Sequence, residues 1–164
     1  MAYKRISFYS EYLAKVVTIT VQDETVHRLT LDEPHYTEHP DGGTAATQAC
    51  QAYLAGENAD LQKYPVHLEG ITSFERDVLK ATRRIPKGHV TTYSALAAQI
   101  GRPCAARTVG NALAKNPIPL FVPCHRVIRK GGIGGFSCGL DVKVKLLELE
   151  GVSSLVEHPQ TRHR

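Results

Sequence analysis

Cysteine is sparse in this 164-residue chain, and the way it is spread argues against two classes of protein. The four cysteines, Cys50, Cys104, Cys124 and Cys138, stand far apart and form no C-x-x-C pair. The disulfide frameworks that staple small secreted domains need more cysteines in a shorter chain. A zinc site built on the adjacent Cys124 and His125 lacks a second close pair of ligands, and neighbouring residues seldom converge on one metal. Long apolar runs are missing too, since none approaches the ~18 residues that cross a bilayer. The opening MAYKRISFYSEYLAKV has no apolar stretch followed by a small-residue cleavage site, so no signal peptide is expected. There is no internal repeat and no low-complexity tract. Together these absences point to a soluble, intracellular protein.

Acidic residues are unevenly spread. Residues 1–70 carry 5 Lys and Arg against 10 Asp and Glu, a net −5, whereas residues 71–164 carry 15 against 6, a net +9. The asymmetry suggests two units, 1–70 and 71–164. The basic half is either a surface for a polyanion or a solvated basic face. In the acidic half, YLAKVVTITVQ and TVHRLTL are rich in Val, Thr and Ile and read as strands. EPHYTEHPDGG reads as a loop. TAATQACQAYLAG places Ala46, Cys50, Tyr53 and Leu54 on one helical face that Gly56 ends, which makes Cys50 a buried small residue. A linker-like KYPVHLEG follows.

The basic half opens with TSFERDVLKATRRIP. Thr72 and Glu75 have the capping-box spacing, Phe74, Val78, Leu79 and Ile85 form an apolar stripe, and Pro86 and Gly88 stop the helix. TTYSALAAQIG then reads as a helix from a Thr cap to Gly101. After the turn RPC, AARTVGNALAKN reads as a second helix ended by Asn116-Pro117. Two short helices across a tight turn have the helix-turn-helix layout. The second helix presents a small face, Ala105, Ala106 and Gly110, with Arg107 projecting. Such a face suits close approach to a narrow groove with one inserted side chain, as minor-groove binders use, and lacks the long polar residues of a major-groove reader. The tail HPQTRHR is polar and expected to fray.

In PIPLFVPCHRVIRKGG, Cys124 reads as a nucleophile, a metal ligand or a small core residue. A free thiol with a pKa near ~8.5 is only about 3% thiolate at neutral pH, so a nucleophile needs a base. His125 can take the proton directly or through a water, and a carboxylate, Asp141, Glu148 or Glu150, can hold the imidazole in the right tautomer. Neighbours in an extended strand point to opposite faces, so Cys124 and His125 share a site only across a bent backbone or a bridging water. Pro123 favours such an irregular backbone.

NPIPLFVPCHRVI resembles the active-site signature of the O6-alkylguanine-DNA alkyltransferases, a Pro-Cys-His-Arg-Val core behind an Asn-Pro-x-Pro hinge. The similarity continues, in order and spacing, through IPKGHVTTYSALA, AARTVGNAL, GGIGGFSCGL and KLLELEG. The front half resembles the family only in general layout. The resemblance implies an α/β (α+β) fold, with a small N-terminal antiparallel sheet plus helix over 1–70. It also implies a mostly helical C-terminal domain over 71–164 with a winged-helix-like helix-turn-helix. The implied activity is repair of duplex DNA by a monomer. The alkylated guanine is flipped out from the minor groove, and its O6-alkyl group passes irreversibly to Cys124. No metal or organic cofactor is implied, and no membrane partner. The expected place of action is the cytoplasm, or the nucleus in a eukaryote.

The resemblance also implies roles. Cys124 is the acceptor, His125 relays its proton through a water, and Glu150 polarises His125. Asn116 braces the turn before the active-site strand. Tyr93 helps rotate the nucleotide and donates to the guanine, and Arg107 replaces the extruded base on a helix face of Ala105, Ala106, Thr108 and Gly110. Ser137, with the backbone around Val127 and Phe136, lines the base pocket, and Arg126 ties neighbouring segments together. Attack of a thiolate on an sp³ carbon leaves a thioether, which has no carbonyl for water to attack, so each molecule should react once. Phe136 and Cys138 stand where the family more often has Tyr and Gly. Thr108 and Asn111 are larger than the usual Ala and Gly, and Ala114 replaces a basic residue of some relatives. Cys104 is expected to pack. The N-terminal cysteines that bind zinc in some relatives are absent, so His27, His35, His39 and His67 read as surface or packing residues. Three rival readings predict other features. A damage sensor of this type lacks the acceptor cysteine, a helix-turn-helix regulator needs a polar recognition helix and a dimer interface, and a Cys-His hydrolase needs an oxyanion hole.

Overall fold

Alternation of apolar and polar residues builds a three-stranded antiparallel meander, β1 (Lys4–Ser10), β2 (Lys15–Gln22) and β3 (Thr25–Asp32), in the computed structural model. The structure describes residues 2–35 and 43–152; His39, part of the EPHYTEHPDGG loop and the HPQTRHR tail lie outside them. Ile6, Ile19 and Leu29 stand in register on the buried face, and Arg5, Thr20 and Arg28 in register on the other. The strand expected over YLAKVVTITVQ starts only at Lys15, because Ala14 takes a left-handed φ of 53° in the preceding turn. Asp23 and Glu24, at φ 49° and 65°, close the β2–β3 hairpin in the twist that suits adjacent strands.

Helix α1 (Ala45–Leu54) begins at Thr44, whose hydroxyl accepts from the Thr47 N–H, and buries Ala46, Thr47, Cys50, Tyr53 and Leu54. That is the expected face with Thr47 added, and burial pushes the Cys50 thiol far up. The segment KYPVHLEG is not a free linker throughout. Val26 N–H donates to Pro65 O and His67 N–H to Val26 O, both at 2.9 Å, which adds a parallel bridge to β3.

The chain divides into two compact units, one of Met1–Gly70 with Pro117–Phe121, the other of Ile71–Asn116 with Val122–Arg164. The division departs from the expected 1–70 and 71–164 by five residues. Leu29 N–H donates to Pro117 O at 3.0 Å, and Ile118, Leu120 and Phe121 are buried, so this stretch packs as part of the first unit.

In the second unit α2 (Ser73–Arg83) starts where Thr72 Oγ1 accepts from the Glu75 N–H at 3.1 Å. It buries Val78 and Leu79, with Ile85 following, while Phe74 is only half-buried. Helices α3 (Tyr93–Gln99) and α4 (Ala106–Ala114) form the expected helix-turn-helix. Thr92 caps α3 and Gly101 ends it at φ 78°. Leu96, Val109 and Leu113 are buried with Leu146 and Leu147 of α5 (Leu140–Leu149), and each such side chain contributes roughly 1.5–3 kcal/mol. A two-residue parallel pair, β4 (Thr91–Thr92) with β5 (Val127–Ile128), ties the start of α3 to the residues after Cys124. Among the described residues, no helix is long and apolar enough to cross a membrane.

Candidate active site

Pro123 decides the local backbone. At φ −78° and ψ 65° it forms the centre of an inverse γ-turn, closed by the Cys124 N–H on Val122 O at 2.8 Å. Cys124–Arg126 then make one turn of 3₁₀ helix. The backbone here is the irregular one expected from Pro123, and not an extended strand that would set Cys124 and His125 on opposite faces. A proline ring fixes φ and the tight turn takes over where a ladder cannot continue.

This turn carries three consecutive buried side chains. His125 Nε2 donates to Glu150 Oε2 at 2.9 Å. Arg126 grips the same carboxylate through Nε to Oε1 at 2.8 Å and Nη2 to Oε2 at 2.9 Å, and its Nη1 reaches Ile85 O at 2.6 Å. Glu150 closes α5, and its side chain is 0% exposed. Of the three expected carboxylates it alone meets His125; Asp141 and Glu148 are exposed. Arg126 does tie segments together, but it also shares the carboxylate that orients the imidazole.

The electrostatics assign the tautomer. Burial alone would raise the Glu150 carboxyl, but hydrogen bonds from His125 and Arg126 hold it well below the usual carboxylate range. An ionised carboxylate accepts, so the proton sits on His125 Nε2. Burial holds His125 below its ordinary range despite the pull of Glu150, so the ring is neutral at pH 7. Its Nδ1 is therefore an acceptor, buried and without a protein partner.

The Cys124 thiol is pushed up to about 11 by burial, against the lowering effect of Asn116. Asn116 Nδ2 lies 3.2 Å from Sγ and 3.0 Å from Val122 O, so it braces the turn and touches the sulfur at once. Cys124 forms part of the wall of a cavity of about 100 Å³, with Tyr93, Phe136 and Ser137. Leu113, Gly110, Ala114 and Gly135 complete the lining. Val127, expected near the base, is not part of it: the residue is fully buried and its carbonyl accepts from Lys143 Nζ at 2.7 Å. Tyr93 Oη accepts from the Gly135 N–H at 3.2 Å. Gly134 has to be glycine here, since its φ is 78° and a Cβ would stand 2.7 Å from Tyr93 Oη.

On α4, Arg107 and Thr108 are exposed and Ala105, Ala106 and Gly110 half-buried; Gly110 faces the Tyr93 ring. Cys104, expected to pack, is exposed, because it precedes the helix in the turn. Cys138 is half-buried, is not among the residues lining the cavity, and pushes the Cys124 thiol up slightly. Among the described residues, the group with donor atoms close enough for a metal ion is in the first unit, where His27, His67 and Glu69 lie within 4.8 Å of one another. His27 is half-buried and His67 exposed, in keeping with their reading as surface or packing residues. The parallel bridge at Val66 brings them together. The two rings lie 4.9 Å apart between centroids, tilted by 37°, and His67 pairs with Glu69. His35 is exposed.

Residues 73–152 match the family model for the 6-O-methylguanine DNA methyltransferase DNA-binding domain. A methylated-DNA–protein-cysteine methyltransferase of Shigella flexneri is 39% identical over 144 residues, 87% of this chain and 78% of its own length. The chain belongs to the methylated-DNA–protein-cysteine methyltransferase family. A second member, from Metallosphaera sedula, is 43% identical over 110 residues, 67% of each chain. Among solved structures, the Mycobacterium tuberculosis O6-methylguanine methyltransferase superposes with a TM-score of 0.77 at 35% identity, covering 91% of this chain and 93% of its own. The same protein in complex with DNA matches at the same TM-score of 0.77. In this methyltransferase-family chain, the matched stretch contains the whole Cys124–His125–Glu150 arrangement.

One residue of the methyltransferase site escaped the sequence reading. Lys143 is 0% exposed and donates to Gly135 O at 2.9 Å as well as to Val127 O. A signal was present: Lys143 lies three and four residues before Leu146 and Leu147, on the inward stripe of α5.

Proposed function

We propose that this chain repairs alkylated DNA by moving the alkyl group from O6 of guanine to Cys124 Sγ, once per molecule. The observation that carries this reading is Cys124 on the cavity wall, next to a buried histidine whose free nitrogen is a base. With its thiol at about 11, only about one Cys124 in ten thousand is ionised at pH 7, so the proton must be removed for reaction. His125 Nδ1 takes it through a water, and Glu150 stabilises the imidazolium. The thiolate attacks the alkyl carbon in line. The C–O6 bond breaks, its electron pair goes to the guanine, and the proton lost by the thiol balances the one gained by the base. Tyr93 and the backbone N–H groups at the cavity stabilise the charge that develops there. The thioether cannot be hydrolysed by the same site, so Cys124 is consumed.

The partner in this reading is double-stranded DNA, approached from the minor groove by a monomer. Ala105, Ala106 and Gly110 allow the α4 backbone to come close. Thr108 contacts the strand, and exposed Arg107 fills the gap left by the flipped base, offsetting a flipping cost of a few kcal/mol. Helix α4 has no side-chain cap at Ala105, which leaves its first N–H groups available to a phosphate. Ser137, Phe136 and Tyr93 enclose the guanine. The chemistry needs no cofactor, and its substrate places the protein where DNA is, in the cytoplasm or in a nucleus. The test is intact-mass measurement after mixing with a duplex oligonucleotide containing O6-methylguanine. One stable methyl per molecule, located on the Cys124 peptide and absent in Cys124→Ser, is expected. Binding without mass gain would favour a sensor, and repeated turnover a hydrolase.

A further inference from the structure

A buried lysine is costly unless its ammonium is hydrogen-bonded, because desolvation penalises the charge. Lys143 meets that demand in a particular way. It stands on α5, yet both carbonyls it binds belong to other segments: Val127 in β5 and Gly135 in the loop that follows. The loop from Arg129 to Gly139 has no helix or strand, and Gly131, Gly134 and Gly139 all have positive φ. Such a backbone has little local stiffness, so its position depends on side chains that grip it.

The gripped peptide is the one that handles Tyr93. The Gly135 N–H donates to Tyr93 Oη at 3.2 Å, while the Tyr93 hydroxyl donates to the Gly135 carbonyl at 3.4 Å. Lys143 takes that carbonyl at the shorter distance of 2.9 Å. The N–H therefore occupies a lone pair of Tyr93, and the competing acceptor is engaged by a cation. The hydrogen bond that the Tyr93 hydroxyl donates to that carbonyl is long, at 3.4 Å, so its proton is readily given up to a better acceptor that enters the cavity. The ammonium also lies 5.9 Å from the centre of the Tyr93 ring, within range of a cation–π contact.

We propose that Lys143 is a positioning residue for the transfer, fixing the Gly135 peptide so that the Tyr93 hydroxyl is presented as a donor to the substrate base. The inference rests on the alkyl-transfer reading and adds a residue that acts mainly through Tyr93, with a lesser Coulombic lowering of the Cys124 thiol.

Two reactions of the same cysteine separate this role from a structural one. Methyl transfer from the O6-methylguanine duplex needs the base to be seated; labelling by iodoacetamide, read on the Cys124 peptide, needs only the thiol. Lys143→Met is expected to slow methyl transfer on the order of 100-fold, the scale of a displaced catalytic geometry, with labelling within about threefold of the parent. Lys143→Gln keeps N–H donors on a shorter side chain and is expected to lose less. If Met at this buried position abolishes the thermal transition, the Gln variant decides by the same ratio. Parallel loss of both reactions, or loss of neither, overturns the proposal. So does a folded Gln variant as slow as Met. A parent protein that labels with iodoacetamide but accepts no methyl defeats the alkyl-transfer reading itself.

Discussion

Glu150→Gln tests how the site holds its base. The carboxylate accepts three hydrogen bonds, one from His125 and two from Arg126, at 2.8–2.9 Å, with no exposure to solvent. A glutamine of the same shape offers one oxygen and one NH₂. If the NH₂ faces His125, it demands a lone pair on Nε2 and drives the proton to Nδ1, where it blocks acceptance from the thiol. If it faces Arg126, two donors collide. In either orientation Arg126 keeps a buried charge without its anion, which costs about 3–5 kcal/mol. Loss of the base should lower the rate of transfer on the order of 10²- to 10⁴-fold. The assay is single-turnover methyl transfer from the O6-methylguanine duplex, with thermal and urea unfolding of the same preparation. For a chain of this size the stability loss corresponds to a Tm drop of roughly 6–20 °C, if unfolding is two-state. Glu150→Asp, which keeps the charge, should unfold closer to the parent than Gln does. A Gln variant that transfers within about threefold of the parent and melts at the same temperature would refute both the tautomer argument and the buried-pair argument.

Arg107→Ala should slow transfer from duplex DNA by about 10- to 100-fold, the scale of the flipping cost, while leaving reaction with free O6-alkylguanine base unchanged; equal losses on both substrates would remove Arg107 from base extrusion. Asn116→Ala removes the donor to Sγ, a contact worth about 1.5–3 kcal/mol to the thiolate. The midpoint of Cys124 labelling against pH should move above the parent's value of about 11, and an unmoved midpoint would contradict the contact. Acid should destabilise the second unit. His125 and Glu150 are both held below their ordinary ranges, so the unfolded chain binds more protons. Their contribution is complete above the unfolded histidine value of about 6.5 and is lost as pH falls through that value and then through the carboxylate range. Melting temperature should fall between pH 7 and pH 4, and a flat profile would show that neither shift is real.

Short-range features were readable because their causes are short-range. Thr72 and Thr92 cap helices with hydroxyls that reach three residues ahead, Gly101 ends α3 because its backbone can turn left-handed, and Cys50 is inside because α1 has one apolar face. The Cys-His pair and the downstream carboxylates were visible as candidate chemistry. The resemblance singled out Glu150, which accepts a hydrogen bond from His125 across 25 residues.

Local sequence specifies the helices and their caps, the strand-rich front half and the family motif around Cys124. Each is encoded by residues within about one helical turn or along one uninterrupted signature. The remaining features arise from long-range packing. It shaped the bend after Pro123 into a 3₁₀ turn, drew Pro117–Phe121 into the first unit and set His67 beside His27 across a bridge at Val66. It gave Arg126 a share of Glu150 and buried Lys143 against the Gly135 carbonyl, 42 residues from the tyrosine held by the same peptide. The reason is physical. Whether a charge lies in solvent or in the core, and which partner compensates it, depends on what packs around it in three dimensions. Neighbours along the chain carry no record of that packing.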